Sequence, residues 1–259
     1  MSPIVPGSTF STVIPAAEVP LTDVTAMVLA GGLGTRLRSV VADRPKVMAE
    51  VLGRPFLAFL LDQLADAGVQ NVILCTGYLC EQVRDFFGRE YCGMQIQYSE
   101  ERTPLGTGGA LRLALPRVLT PTVLAMNGDS YCSANLPAYY AWHQQSSREM
   151  SLLLTPVSDS GRYGRVETNE NGAVTAFVEK GAGAVPGWIN AGIYLMQRSL
   201  LEKVSPNGVV SMERDLLPSW IDNGVGGFRC ESRFLDIGTP ESYAETEAFF
   251  RPMMARKAA

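Results

Sequence analysis

The sequence has one histidine, His143, and five cysteines without a Cys-x-x-C pair. That odd count suggests neither a disulfide framework nor a zinc knuckle, and reduced thiols fit a cytoplasmic protein. With so little sulfur and imidazole, a metal would have to be held by oxygen. That points to magnesium, with manganese as the alternative, and to carboxylate ligands. Apolar runs such as residues 27–30 fall far short of the roughly 18 residues needed to cross a bilayer, so no membrane partner is expected. No Lys or Arg precedes Arg36, and Pro, Ser and Thr interrupt residues 1–22. These read as a flexible N-terminal extension, not a secretion signal. Gly-Lys is missing, which removes a Walker phosphate loop, and so is Asp-x-Asp. A formal net charge of -4 gives no reason to expect nucleic acid as a partner. His143, in "PAYYAWHQQ", reads as part of a surface helix.

What is present is 259 residues, 46% of them hydrophobic, enough for the core of one large domain. Apolar β-branched segments at 26–30, 72–76, 95–99 and 122–126 alternate with helical patterns at 55–67, 80–87, 107–115 and 137–145. Phe56, Leu57, Leu60, Leu61 and Leu64 recur at steps of three and four, and Gly68 follows as a left-handed cap. This alternation predicts βαβ crossovers and a mostly parallel sheet covered on both faces. Beyond residue 150 the pattern changes to short strands at 151–157, 165–167, 174–178 and 189–196, separated by "GRYG", "NENG" and "GAGAVPG". That predicts an antiparallel excursion. Helices are expected at 213–223, with Pro218 forcing a kink or break, and at 239–250, capped by Thr239 with Pro240 in the first turn.

The stretch "AMVLAGGLGTRLRSVVADRPKVM" runs from a buried strand into glycines and then into Arg36, Arg38, Arg44 and Lys46, opposed by Asp43 alone. Without side chains at Gly31, Gly32 and Gly34, backbone amides can approach an anion beyond the carboxyl end of the strand. A dinucleotide fingerprint lacks its third glycine, since Thr35, Arg36 and Leu37 follow Gly34. A solvated charge run is the ordinary alternative. Four cations tied to the end of a buried strand favour a polyphosphate site, where Arg forks onto phosphate oxygens and Lys supplies a mobile point charge.

"LAGGLGTRLRSVVADRPKVM" resembles the signature of the sugar-1-phosphate nucleotidyltransferases. The resemblance continues in order through "PLGTGGAL", "NGDS", "VEK", "INAGIYL" and "FLDIGTPESY", over about residues 24–250. Within that family, "RLRSVVADRPK", "LGTGGAL" and "SMERDLLP" are similar to the bacterial D-glycero-α-D-manno-heptose 1-phosphate guanylyltransferases. The left-handed β-helix domain frequent in the family does not follow here, which matches that subgroup. The resemblance implies a three-layer, Rossmann-like α/β fold with a mostly parallel central sheet and a smaller antiparallel sugar-binding excursion. It would form one domain over residues 23–252, with a nucleotide-binding half at about 23–150 and a sugar-binding half at about 151–252. Small members of such families often pair, so a homodimer is compatible with it.

The reaction so implied is attack by a sugar 1-phosphate on the α-phosphorus of a nucleoside triphosphate, with loss of pyrophosphate. A phosphate monoester with a second pKa of about 6 is already largely dianionic at neutral pH, so no general base is required. Positioning and charge neutralisation remain as the work of the site. By resemblance, Asp129 and Asp236 hold Mg²⁺, Arg36 grips the β and γ phosphates, and Lys46 neutralises the α-phosphate. Lys180 binds the sugar phosphate, Glu179 accepts from sugar hydroxyls, and Gly164 and Asn190 contact the sugar. Gly32, Gly34 and Thr35 belong to the phosphate turn. The base is read by Leu29 and Gly31 backbone groups, by Glu101, and by the turn of Gly106, Thr107 and Gly108. An ionised carboxylate only accepts, and guanine offers N1–H and N2–H₂ side by side, so Glu101 favours GTP unless Glu100 is the residue that faces in. Other pairs remain open: mannose 1-phosphate with GTP, N-acetylmuramate 1-phosphate with UTP, glucose 1-phosphate with dTTP or CTP. Outside this class stands a nucleotide-sugar-binding regulator, which should have lost a metal acid or a phosphate cation.

Overall fold

The computed structural model describes residues 19–32, 34–37, 39–178 and 185–257. Along the chain, β1 (Val24–Leu29) leads through the small ladder of β2 (Glu50–Val51) and β3 (Arg54–Pro55) to α1 (Phe56–Asp66). Next come β4 (Asn71–Thr76), α2 (Cys80–Phe87), the edge pair β5 (Glu90–Tyr91) and β6 (Met94–Glu100), and α3 (Gly106–Ala114). β7 (Thr122–Asn127), β8 (Ser130–Cys132) and α4 (Leu136–Gln145) close this half. The remainder holds β9 (Met150–Val157), β10 (Arg165–Thr168), β11 (Val174–Val178), β12 (Gly187–Gln197), α5 (Arg198–Glu202), α6 (Leu217–Trp220), β13 (Gly226–Arg229), β14 (Phe234–Asp236), α7 (Pro240–Ala244) and α8 (Thr246–Lys257).

Eight strands form one sheet in the order β13-β9-β12-β7-β1-β4-β6-β5. Only β12 and β5 run against the rest. β1 pairs in parallel with β4 on one side and β7 on the other. The chain therefore leaves β1 in two directions, and a crevice opens beyond Leu29 and Asn127, where open α/β sheets take their ligands. β1 reads "VTAMVL" because it is covered on both faces. Val24, Ala26 and Val28 meet Leu57, Leu60, Leu61 and Leu64 of α1 with Phe250 of α8, while Met27 packs with Leu111 of α3, Leu201 of α5 and Leu217 of α6. Three layers result, as expected.

Several expectations need correction. β9 and β12 belong to the central sheet, so the separate antiparallel excursion shrinks to the β10–β11 hairpin. The edge strand β13, with its sequence Gly-Gly-Phe-Arg, was not expected, because glycine carries no strand signal. Pro218 does break its helix. A π turn at Met212–Leu216, in which the Leu216 amide reaches the Ser211 carbonyl at 3.2 Å, precedes α6 and leaves Pro218 in the first turn, where its missing N–H is harmless. Thr239 caps α7 in a capping box with Ser242, but the expected single helix is interrupted at Glu245. Residues 1–18 of the expected extension lie outside the described residues. Leu21, counted with it, is fully buried and its amide donates to the Ala67 carbonyl, so the packed domain includes it.

His143 is not on the surface. It is 3% exposed, its Nδ1 lies 2.8 Å from Ser151 Oγ, and its Nε2 is buried without a partner among the described residues. The polar neighbours Gln144 and Gln145 concealed a face packed on β9. Burial lowers its pKa from 6.5 to about 4. The unfolded chain therefore binds more protons between those values, so stability present above pH 6.5 is lost as pH falls toward 4, by on the order of 3 kcal/mol. His143→Gln should flatten the fall in Tm between pH 7 and pH 4.5; parallel wild-type and variant curves would show that the acid sensitivity lies elsewhere.

Candidate active site

The crevice beyond β1 and β7 is a cavity of about 480 Å³ whose wall includes Leu29, Gly31, Gly32, Gly34, Thr35, Lys46, Glu101, Gly106, Thr107 and Asp129. Lys46 Nζ lies 2.7 Å from Asp129 Oδ2, with the lysine side chain 9% exposed and the aspartate 46%. Two glycines permit this pair. Gly34 takes a left-handed φ of +58°, and a Cβ there would stand 2.9 Å from Lys46 Cβ. Gly128 donates to the Leu29 carbonyl at 2.9 Å and leaves no room for a side chain against Val47. The Leu29 carbonyl, expected to help read a base, thus already accepts one hydrogen bond.

Glu101 turns inward. Its Oε2 accepts from the Leu105 amide at 3.0 Å, and a Cβ on Gly31 would come within 2.8 Å of its Oε1. Glu100 points away to Arg84 at 3.3 Å, which settles which of the two acids faces the cavity. Burial raises the Glu101 pKa, while the Leu105 amide works against the shift. Gly31 therefore has a second use that the motif alone did not reveal: it makes space for a carboxylate from another strand. Cys75 lines the same cavity, but burial pushes its thiol up to about 12, so it is no nucleophile at neutral pH.

Asp236 stands on β14 opposite Ser130 of β8, and the Ile237 amide donates to the Asp129 carbonyl at 2.9 Å, so the two acids occupy neighbouring backbone positions. Their side chains have different partners. Asp236 accepts from Tyr163 Oη at 2.5 Å and the Gly238 amide at 2.7 Å, and pairs with Arg162 at 3.5 Å. Sequence reasoning missed Tyr163 and Arg162, because "GRYG" carried only a turn signal. Arg36 is exposed and is not on the cavity wall; its Nη2 lies 3.6 Å from where a Cβ on Gly238 would be, beside Asp236. Arg44 is spent on Asp43 at 2.9 Å and Glu50 at 4.0 Å, and Arg38 lies outside the described residues. Of the four cations in the run, Lys46 alone among the described residues lines this cavity.

A second cavity, of about 570 Å³, is walled by Tyr163, Gly164, Arg165, Asn190, Glu213 and Arg214 among others. Gly164, at φ +78°, and Asn190, the two residues that the resemblance gives to the sugar, both line it. Glu179 and Lys180 lie outside the described residues, although Val178, just before them, is on the wall. The turn at Gly106, Thr107 and Gly108 is itself tied to the segment at 210–213. The Gly108 amide donates to the Val210 carbonyl at 2.8 Å, and Thr107 Oγ1 donates to Glu213 at 3.0 Å while accepting from the Met212 amide at 2.7 Å.

A model of the nucleotidyl transferase family matches residues 25–251. The chain belongs to that family. It is 37% identical over 223 residues to the D-glycero-α-D-manno-heptose 1-phosphate guanylyltransferase of Aneurinibacillus thermoaerophilus, covering 86% of this chain and 96% of that protein. It is 35% identical to the mannose-1-phosphate guanylyltransferase of Mycobacterium tuberculosis, covering 87% of this chain and 64% of that one. Among solved structures, HddC from Yersinia pseudotuberculosis complexed with GMP-PN matches with a TM-score of 0.77 and 34% identity, over 87% of this chain and 99% of that one.

In this nucleotidyl transferase the glycines of the turn are not equivalent. Among the described residues beyond its chain neighbours, no atom lies within 4 Å of a Cβ placed on Gly32, whereas Gly34 is left-handed and crowded by Lys46. Gly34→Ala should lower stability by about 1–2 kcal/mol and weaken nucleotide binding by displacing Lys46, and Gly32→Ala should leave Tm within about 1 °C. Equal losses in thermal melts of the two variants would contradict this reading of the turn.

Proposed function

We propose that this chain transfers GMP from GTP to a sugar 1-phosphate, with D-glycero-α-D-manno-heptose 1-phosphate as the sugar, giving GDP-heptose and pyrophosphate. The observation that carries the proposal is the inward Glu101 carboxylate in the same cavity as the Lys46–Asp129 pair. A carboxylate that can only accept suits the adjacent N1–H and N2–H₂ donors of guanine. The two relatives at 37% and 35% identity are both guanylyltransferases by name, and the first, matched over nearly its whole length, supports the heptose.

An oxygen of the sugar phosphate attacks the α-phosphorus in line, a new P–O bond forms, and the bond to the β-phosphate breaks. The attacking phosphate is already a dianion, and the described wall offers no activated nucleophile: Cys75 is held protonated and the Thr107 hydroxyl is engaged. Lys46 opposes the charge that grows at the α-phosphate. Arg36 would meet the departing pyrophosphate, and Lys180 with Glu179 would hold the sugar phosphate and its hydroxyls. The donor set fits a magnesium ion. Asp129 is half-exposed at the cavity and Asp236 follows on the neighbouring strand. Among the described residues no group of three or more His, Cys, Asp or Glu converges. Magnesium commonly takes one or two carboxylates and completes its shell with phosphates and water. Bound there, it would neutralise phosphate charge and align the two substrates. Manganese would suit the same oxygens.

The test is pyrophosphate release with Mg²⁺ across the nucleoside triphosphates, each offered heptose, mannose and glucose 1-phosphates. GTP with heptose 1-phosphate should exceed every other pair. A greater rate with mannose 1-phosphate would keep the reaction and reassign the sugar, and GTP binding without turnover by any pair would favour a regulator. Glu101→Gln should cut the preference for GTP by about 10- to 100-fold; an unchanged preference would mean that another group reads the base. Asp129→Asn should lower turnover by at least about 100-fold with Tm nearly unchanged, because its ion pair with Lys46 is half-exposed at the aspartate. Normal turnover in this variant would remove Asp129 from the metal site.

A further inference from the structure

Glu213 lies on the wall of the second cavity, yet among the described residues its side-chain hydrogen bonds go to Thr107, Ser211 and Tyr194, none of which lines that cavity. Its Oε2 accepts from Thr107 Oγ1 at 3.0 Å and Ser211 Oγ at 3.2 Å, and its Oε1 accepts from Tyr194 Oη at 3.2 Å. Tyr194 is fully buried, and burial and the Glu213 carboxylate beside it hold its phenol protonated. The same phenol accepts from Asn190 Nδ2 at 2.9 Å, while Asn190 Oδ1 accepts from the Gly192 amide at 2.9 Å. Asn190 belongs to the second cavity and Thr107 to the first. A continuous path of three hydrogen bonds, from Thr107 through Glu213 and Tyr194 to Asn190, therefore joins the walls of the two cavities.

The backbone follows the same route. Val210 donates to the Leu105 carbonyl at 2.8 Å and its own carbonyl accepts from the Gly108 and Gly109 amides at 2.8 and 3.1 Å, clasping the start of α3. Glu213 is presented by the π turn Met212–Leu216, a local geometry that a regular helix would replace with a different side-chain direction. Of the four lone-pair sites on its carboxylate, three are filled by protein donors, so its place in the wall is fixed with one acceptor site left over.

We propose that Glu213 is a positioning residue that couples the two cavities, so that a nucleotide engaging the Thr107 turn is felt through Tyr194 at the Asn190 amide on the wall of the second cavity. The coupling rests on the transferase reading above, because it supposes a nucleotide in one cavity and a sugar phosphate in the other. Each ligand then raises the affinity for its partner by the same factor. The link runs through groups with fixed donor and acceptor roles, so removing one donor breaks it without emptying either cavity.

The test is calorimetric titration of heptose 1-phosphate into the protein, with and without a GTP analogue carrying a methylene between the α and β phosphorus, which blocks transfer. In the wild type the analogue should tighten sugar phosphate binding by about 5- to 100-fold. In Glu213→Gln and in Thr107→Val that ratio should fall to about twofold or less, while Thr107→Ser, which keeps the hydroxyl, should restore it. In steady state, Glu213→Gln should raise the sugar KM measured at saturating GTP more than it lowers kcat. A wild-type ratio of one, or a full ratio in both Glu213→Gln and Thr107→Val, overturns the coupling. If the wild type binds both ligands and transfers, yet these variants keep the ratio, the transferase reading stands and the coupling alone falls; if the wild type binds neither ligand, both fall.

Discussion

The ion pair between Lys46 and Asp129 is the contact on which the rest of the site depends. The lysine side chain is only 9% exposed and its ammonium meets a carboxylate that is 46% exposed, so the pair fixes where the cation stands while adding little to stability. The partner comes from the far side of β1, at the end of β7, and can reach the lysine only because the chain between them is pared down to glycine. Gly34 folds back on Lys46 in a left-handed turn, and Gly128 packs on Val47 and the Leu29 carbonyl. The parallel pairing of β1 with β4 and β7 sets this arrangement at the sheet's switch point. Strand order, turn conformation and charge placement are thus one constraint seen at three scales.

Around that pair the molecule has two cavities, joined through the hydrogen bonds of Glu213 and Tyr194. The first holds the inward carboxylate of Glu101, which occupies the space that Gly31 leaves. The second gathers Asn190, Gly164 and Glu213 from β12, the turn before β10 and the π turn. Asp236 lies between them, held by Tyr163, Arg162 and the Gly238 amide. Direct transfer between two bound phosphates needs no acid–base residue of the kind that His143 was too deeply buried to supply. It needs charges held in place, and the structure invests its polar contacts there.

The elements that the sequence made legible are those whose signals are local. Apolar strands, the periodic face of α1, the left-handed Gly68 and the cap at Thr239 each follow from short-range stereochemistry, and each appears in the fold. What stayed hidden is long-range. β9 and β12 were expected in a separate excursion, yet they extend the main sheet, since strand patterns state length and faces but not neighbours. The cation run overstated the phosphate site, since Arg44 finds Asp43 and Glu50 instead. Glu213 stood in "SMERDLLP" with no mark to distinguish it from a solvated acid; only the π turn and the buried Tyr194 give it a place. Glu101 and Glu100 were equivalent by residue type, and the distinction came from which one the Leu105 amide could reach.

The central claim is that phosphate attacks phosphate directly, with no covalent nucleotide on the protein. Its most direct test is the stereochemical course at the α-phosphorus. GTP bearing a single-configuration α-phosphorothioate, with heptose 1-phosphate as acceptor, should give a nucleotide sugar with inverted configuration at that phosphorus. Retention would require two successive displacements, and so a covalent intermediate on a protein nucleophile, which would contradict the account.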